Sequence, residues 1–148
     1  MHATLVFGLA LGVAAPGLKD APKKDPTILG EWVFESGMMG GMAVPTDKAK
    51  LRVTFRTDGI VTARDGDQPT KEEHTYTIDA KKTPAEIDLV PRNKGNNQGI
   101  AMSATGIFKI EDDALTICFS IDSTRPKAFA SPAGEMTILM TFKRARKD

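Results

Sequence analysis

The sequence contains few of the residues on which most catalytic and metal sites depend. It has one cysteine and two histidines among 148 residues, which excludes an internal disulfide framework and a multi-cysteine zinc or iron–sulfur site. It also lacks an excess of one charge, because 20 basic and 19 acidic side chains leave a net charge of +1. Nucleic-acid binders usually carry a basic excess on one face. We therefore predict no nucleic-acid partner, no metal and no cofactor.

Long hydrophobic runs are also scarce. The apolar run over residues 4–15 is shorter than the roughly 20 residues that span a bilayer. Small residues end the run, as in a secretory signal, so we predict export to the periplasm or the exterior without stable membrane insertion. A buried N-terminal helix is the alternative. The predicted division is a signal peptide over 1–17, a charged, proline-containing linker over 18–27 and one folded domain over 28–148.

Alternation of apolar and polar residues, typical of half-buried β-strands, runs through the domain. It is clearest over Leu51–Thr57, and Asp58-Gly59 then supplies the positive φ angles of a tight hairpin. Gly106, inside a long predicted strand, indicates a bulge or bend. The predicted strands are Gly30–Ser36, Leu51–Thr57, Ile60–Arg64, Glu72–Asp79, the segment between Pro84 and Pro91, Gly99–Glu111, Ala114–Ile121 and Glu135–Arg144.

Strands joined by short turns pair antiparallel with their neighbours in sequence. Each predicted strand has one apolar face, which either a sandwich or a closed barrel would bury, and closure also removes the exposed edges. We predict an all-β, eight-stranded antiparallel up-and-down barrel that is monomeric, with a sandwich as the alternative. The predicted interior residues are Trp32, Phe34, Leu51, Val53, Phe55, Tyr76, Ile78, Leu89, Leu115, Ile117, Phe119, Ile138, Met140 and Phe142.

Two short motifs resemble those of lipocalin-type barrels. Gly30-Glu31-Trp32 resembles the Gly-x-Trp that opens such barrels, and Arg144 stands where they place a basic residue against that tryptophan. A longer ordered set of motifs is similar to a small lipocalin-like domain family found mostly in planctomycetes, to which no function is assigned. The set consists of Ile28–Trp32, Leu51–Phe55, Thr75–Asp79, Pro84–Leu89, Gly106–Phe108, Leu115–Phe119, Arg125-Pro126 with Phe129, and Phe142–Arg144.

The resemblance implies a lipocalin-like barrel in which Gly30, Trp32 and Arg144 close the structure. It also implies an export signal and supplies no catalytic residues. The family usually has a polar insert after its first strand, where this chain has the methionine-rich segment 37–42.

Three methionines, Met38, Met39 and Met42, lie in that glycine-rich segment. We interpret it as an adaptable apolar loop on the rim of the barrel, a role that suits the flexible methionine side chain. The alternative is a Cu(I) site, because thioethers are soft metal ligands.

Other reactive side chains have simpler structural interpretations. Glu72 and His74 could form a two-ligand metal patch, but no third ligand is visible, and we predict a surface or barrel-lining histidine. Cys118 lacks a neighbouring base, so we predict a strand residue on the face opposite the core. The acidic groups at 65–67 and 111–113 indicate turns. Arg125, held extended by the following proline, serves either loop architecture or recognition.

These features predict an exported, non-enzymatic binding module that holds a small apolar ligand in the barrel mouth. The rim would be the methionine segment and the loop over 122–134. The alternative is a protein-interaction domain with a filled barrel, acting as an inhibitor or binding an envelope protein, and an enzyme is disfavoured. A cavity above roughly 300 Å³ would favour the ligand binder. The predicted ligand-binding residues are Trp32, Phe34, Phe55, Tyr76, Phe119, Met140, Met38, Met39, Met42 and Arg125.

Overall fold

A computed structural model describes residues 27–46, 50–68, 73–92 and 103–146. The predicted signal peptide and all but the last residue of the predicted linker lie outside these ranges. Within them, none of the elements is a helix that could cross a bilayer.

Nine antiparallel strands make up the described structure, and no helix accompanies them in those ranges. Eight of them pair in chain order and close when β1 pairs with β9, while the short β2 pairs only with β1. The predicted all-β, eight-stranded antiparallel barrel is confirmed, with one extra strand. The strands are β1 Gly30–Met39, β2 Met42–Ala43, β3 Leu51–Phe55, β4 Ile60–Asp65, β5 Glu73–Asp79, β6 Ala85–Pro91, β7 Ala104–Glu111, β8 Ala114–Ser120 and β9 Thr137–Arg144.

The methionine segment is a β-hairpin, so the prediction of a loop there is wrong. β1 continues past Ser36 because its last three residues pair with β9. Gly40 and Gly41, with φ of 55° and 82°, then turn the chain into β2, where Met42 faces Met39. Two successive positive φ angles suit a tight hairpin turn.

The sequence predicted a bulge or a bend at Gly106, and the bulge is wrong because the register of β7 with both neighbours is continuous. Gly106 instead allows a close approach of backbones, since a Cβ there would lie 2.5 Å from the carbonyl oxygen of Cys118. The irregularity of the barrel lies in β1, where the register against β9 shifts between Phe34 and Ser36. Glu35 is the extra residue, and it reverses the alternation of the side chains that follow.

The inner faces of the strands form one continuous core. Trp32, Ile87 and Leu115 have no exposed surface, and Phe34 packs edge-on against Phe142 with ring centroids 5.8 Å apart. The buried core cluster consists of Ile28, Trp32, Phe34, Phe55, Val61, Ile87, Phe108, Leu115, Ile117, Phe119 and Phe142.

The segment over residues 121–136 covers part of the outer face of the barrel. Ile107 and Cys118 pair across β7 and β8 on the face opposite the core, yet they are only 2% and 0% exposed. The Cys118 thiol donates a hydrogen bond to the Ala130 carbonyl oxygen at 3.4 Å, which brings this covering segment onto the sheet. The barrel therefore has a second, smaller buried layer outside its core.

Candidate functional site

The two ends of the barrel differ in composition. One end carries the start of β1, the end of β9 and the turns β3–β4, β5–β6 and β7–β8, and we call it the tryptophan end. The other end carries the β1–β2 hairpin and the start of β9, and we call it the methionine end.

Trp32 and Arg144 close the tryptophan end. The Trp32 indole Nε1 donates a hydrogen bond to the Ile28 carbonyl oxygen at 2.8 Å, which folds the segment before β1 back across this end. The Arg144 guanidinium lies 4.1 Å from the centre of the Trp32 ring and donates hydrogen bonds to the carbonyl oxygens of Leu29 and Thr27 at 3.0 and 2.8 Å. Together these contacts seat the Ile28 side chain in the core.

A cleft opens beside this folded-back segment. It has a volume of about 470 Å³ and lies between the segment, the β5–β6 hairpin and the end of β7. This volume falls in the range typical of small-molecule sites. The lining residues are Thr27, Ile28, Ile78, Ala80, Lys82, Thr83, Pro84, Ala85, Phe108, Lys109 and Ile110.

Apolar side chains dominate the walls of the cleft. Ile28 and Phe108 are 3% and 7% exposed and belong to the core cluster, whereas Ile78 is 44% exposed. Ile78 was predicted to be an interior residue. It does face Ile87 across the β5–β6 pair, but it stands near the end of its strand, where the barrel opens to solvent.

The polar side chains of the cleft include two lysines, Lys82 and Lys109. Lys82 lies in the exposed β5–β6 turn, and the Lys109 ammonium is directed elsewhere, 3.5 Å from Glu111 and 5.0 Å from the Phe129 ring centre. No carboxylate, imidazole or thiol is among the lining residues. The charged groups of the lining are thus the two lysine ammonium groups, and the rest of the walls are mostly apolar.

The predicted ligand-binding residues lie elsewhere, since none of them lines the cleft. Trp32, Phe34, Phe55 and Phe119 are buried in the core cluster, and Tyr76 and Met140 pack against it. The first four are therefore core residues, and Tyr76 and Met140 are partly buried beside them.

Tyr76 is anchored as well as packed. Its hydroxyl donates a hydrogen bond to the Arg56 carbonyl oxygen at 2.6 Å, and its ring meets Phe55 edge-on at 5.1 Å. Burial, with a smaller contribution from the Asp58 charge, raises the pKa of Tyr76 above its ordinary value. The phenol therefore acts here as a packed hydrogen-bond donor.

The two segments predicted to form the rim do meet, at the methionine end. The Gly40 amide donates a hydrogen bond to the Thr137 carbonyl oxygen at 3.4 Å, and a Cβ on Gly41 would lie 2.9 Å from the Ala133 nitrogen. The hairpin leaves its methionines in solvent, with Met38, Met39 and Met42 being 38%, 49% and 73% exposed.

Arg125 fixes the covering segment to the outside of the barrel. Its Nη1 donates hydrogen bonds to the carbonyl oxygens of Ile87 and Gly106 at 3.3 and 2.7 Å. Its Nη2 pairs with Asp88 at 2.8 Å, and Glu86 lies 3.7 Å from its Nε. These contacts belong to loop architecture, one of the two roles that the sequence left open.

Two further reactive side chains, Cys118 and His74, lie on different strands, β8 and β5. Burial is the main cause that raises the pKa of the Cys118 thiol. His74 lies in β5 opposite Val61 and Pro91, and its proposed partner Glu72 is outside the described ranges. In the part of the chain that the structure describes, no three His, Cys, Asp or Glu side chains come together as a metal site.

A side-chain turn at Asp122 starts the covering segment. The Ser120 hydroxyl donates a hydrogen bond to its carboxylate and is the main cause that lowers the pKa of Asp122, assisted by the Thr124 backbone amide. This is turn chemistry, in which an Asp side chain bonds the backbone two residues on.

Sequence reasoning missed the cleft because its two walls depend on contacts distant in sequence. The segment of Ile28 is held by Arg144, which binds the Leu29 carbonyl oxygen from the other end of the chain, and Ala85 meets Phe108 through the pairing of β6 with β7. Two apolar residues could have indicated the cleft from the sequence: Ile28, just before β1, and Ile78, near the end of β5. Comparison with known proteins gives no match to a family model, a curated protein or a solved structure.

Proposed function

We propose that this protein is a non-enzymatic binding module that takes a small apolar molecule into the cleft at the tryptophan end. The observation that carries the proposal is a cleft of about 470 Å³ whose walls are mostly aliphatic and aromatic. The location differs from the predicted mouth, which lies at the other end of the strands. Large buried side chains form a core inside the barrel, and the ligand would sit against this core.

The half-exposed wall of the cleft supplies the driving force. Ile78 is 44% exposed. Covering apolar surface contributes about 25 cal/mol per Å², so a ligand that shields Ile78 and the edge of Phe108 gains affinity from burial alone.

The opposite wall is already held in place before binding. Ile28 is buried, and its carbonyl oxygen accepts the hydrogen bond from the Trp32 indole. Arg144 holds the neighbouring carbonyl of Leu29. A wall that does not rearrange saves the ordering cost that weakens binding.

The proposal also covers the cellular location of the protein and its relationship to lipocalin-like barrels. The apolar run over residues 4–15 supports export to the periplasm or the exterior. The contact of Arg144 with Trp32 supports the predicted lipocalin-like relationship, since it is the contact that the resemblance implied. We include both in the proposal.

Titration with the fluorescent apolar probe N-phenyl-1-naphthylamine tests the binding site. The variant is Ile78→Asp, and the matched control is Val90→Asp, since Val90 is 49% exposed but outside the cleft. We expect Ile78→Asp to weaken probe binding by about tenfold or more, equivalent to roughly 1.4 kcal/mol. Val90→Asp is expected to bind like the unaltered protein. Equal loss in both variants, or no binding to the unaltered protein, would contradict the proposal.

A protein-interaction domain is the second candidate, favoured by the filled barrel and the exposed methionines. Met42 and Met136 are 73% and 57% exposed at the methionine end, and methionine is frequent on surfaces that adapt to partners. Failure of the probe to bind the unaltered protein would favour this candidate.

A further inference from the structure

Sulfur dominates the exposed apolar surface of the methionine end. Six large hydrophobic residues in the described ranges are exposed, and four of them are methionines. The two others, Ile78 and Val90, lie in β5 and β6. The exposed methionines are Met38, Met39, Met42 and Met136.

The bulge in β1 decides which of these methionines face the same way. Before the bulge, Phe34 pairs with Phe142 on the inner face, and after it Met39 pairs with Ile138. The extra residue Glu35 puts odd-numbered residues inward beyond this point, because side chains alternate along each strand. Met39 therefore lies on the inner face and Met38 on the outer face.

The turn at the end of β1 adds a second thioether to this face. Met42 is the direct cross-strand partner of Met39. Such partners share a face, with Cβ atoms about 5 Å apart. The Met39 and Met42 side chains therefore stand next to each other at the rim.

Met136, the residue before β9, adds a third thioether to this face. The Ile121 amide donates a hydrogen bond to the Met136 carbonyl oxygen at 3.2 Å, which continues the β8–β9 ladder beyond Thr137. Alternation along this extended strand puts Met136 on the face of Ile138. Since Ile138 pairs with Met39, Met136 is a diagonal neighbour of Met39, about 7–8 Å away and within reach of long side chains.

We propose that Met39, Met42 and Met136 form a thioether site for Cu(I) at the methionine end. The Gly40–Thr137 hydrogen bond joins the hairpin to the first residue of β9, next to Met136. Thioethers are soft, neutral ligands that suit Cu(I), whereas Ca²⁺ and Mg²⁺ take oxygen ligands and Zn²⁺ takes thiolate, imidazole or carboxylate. The site differs from the sequence alternative, which grouped Met38 with Met39 and Met42.

Methyl NMR of protein labelled with ¹³C at the methionine methyl groups tests this site. The probes are Cu(I), kept reduced under anaerobic conditions, and Ag(I), a redox-stable soft monovalent cation. We expect the Met39, Met42 and Met136 methyl signals to move together and saturate at one equivalent of ion. The Met38 signal should stay in place, and Zn²⁺ should shift none of them.

Leucine variants supply the matched control, because Leu and Met have similar volumes. Met136→Leu should weaken binding by about tenfold or more, since even outer-shell changes at metal sites cost that much, while Met38→Leu should leave it unchanged. Equal affinity in the two variants, or methyl shifts spread equally over all methionines, would overturn the proposal. So would loss of binding in Cys118→Ala, which would identify the buried thiol as the ligand.

Discussion

Arg144 and Trp32 face each other across the strands that close the barrel. They are register partners in the β1–β9 pair, and the guanidinium lies 4.1 Å from the indole ring centre. The same guanidinium holds the carbonyl oxygens of Leu29 and Thr27. One side chain therefore joins the last strand, the first strand and the segment that forms one wall of the cleft.

Removing this guanidinium should destabilise the barrel. Arg144→Ala loses two charge-assisted hydrogen bonds and a cation–π contact, and we expect the free energy of unfolding to fall by about 2–3 kcal/mol. Urea unfolding followed by tryptophan fluorescence measures the change. Lys143→Ala is the control, since the exposed Lys143–Glu35 pair should contribute less than about 1 kcal/mol. Equal losses would show that Arg144 has no special role in closure.

Gly106 should be far less replaceable than an exposed glycine. In Gly106→Ala the new Cβ would lie 2.5 Å from the Cys118 carbonyl oxygen and 2.8 Å from the Phe119 ring, so β7 and β8 must separate. We expect a loss of about 3 kcal/mol or more, at the upper end for overpacking. Gly134→Ala meets no atom within 4 Å but has φ of 85°, and it should cost about 1–2 kcal/mol. Thermal unfolding of both variants measures the two losses of stability. A larger loss in Gly134→Ala than in Gly106→Ala would contradict the close packing of β7 and β8.

Local patterns predict most of the barrel. Alternation over Leu51–Phe55 and the Asp58-Gly59 turn specify β3 and β4, because strand period and turn chemistry both act over a few residues. The alternation of apolar and polar residues along β1 likewise predicts that the Trp32 and Phe34 side chains point inward.

What the sequence did not predict depends on distant partners. A glycine within a strand fits either a bulge or a close approach, and only the position of Cys118 on the next strand distinguishes the two for Gly106. β1 was predicted too short because Gly37 and its methionine neighbours carry little β-strand signal. The cleft was missed because the segment of Ile28 is held in place by Arg144, from the last strand.

Arg125 should control access to Cys118. The thiol is fully buried beneath the covering segment, which Arg125 fastens to β6 and β7. In Arg125→Ala we expect local opening of this segment to become easier by roughly 1.4 kcal/mol, so that alkylation of Cys118 by iodoacetamide accelerates by about tenfold. Lys127→Ala, an exposed change in the same segment, is the control. Equal alkylation rates in the two variants would show that Arg125 does not hold the cover.

Alkaline pH should weaken the fold. Burial raises the pKa values of Cys118 and Tyr76 in the folded protein, so both groups favour folding while they are neutral. Their contribution is fully present below about pH 8.5, the ordinary thiol pKa, and is lost as the pH rises through the folded-state values. Urea unfolding from pH 7 to 10.5 should show a decline that is shallower in Cys118→Ala. An identical decline in this variant would exclude the thiol as a cause.

Chemical-shift mapping tests the binding proposal most directly. Backbone amide spectra of ¹⁵N-labelled protein would be recorded during titration with N-phenyl-1-naphthylamine. We predict saturable shifts concentrated at Ile78, Ala85, Phe108 and Ile110, which line the cleft, with the amides of Met39 and Ile138 unmoved. Shifts concentrated at the methionine end, or no saturable shifts at all, would contradict a binding site in the cleft at the tryptophan end.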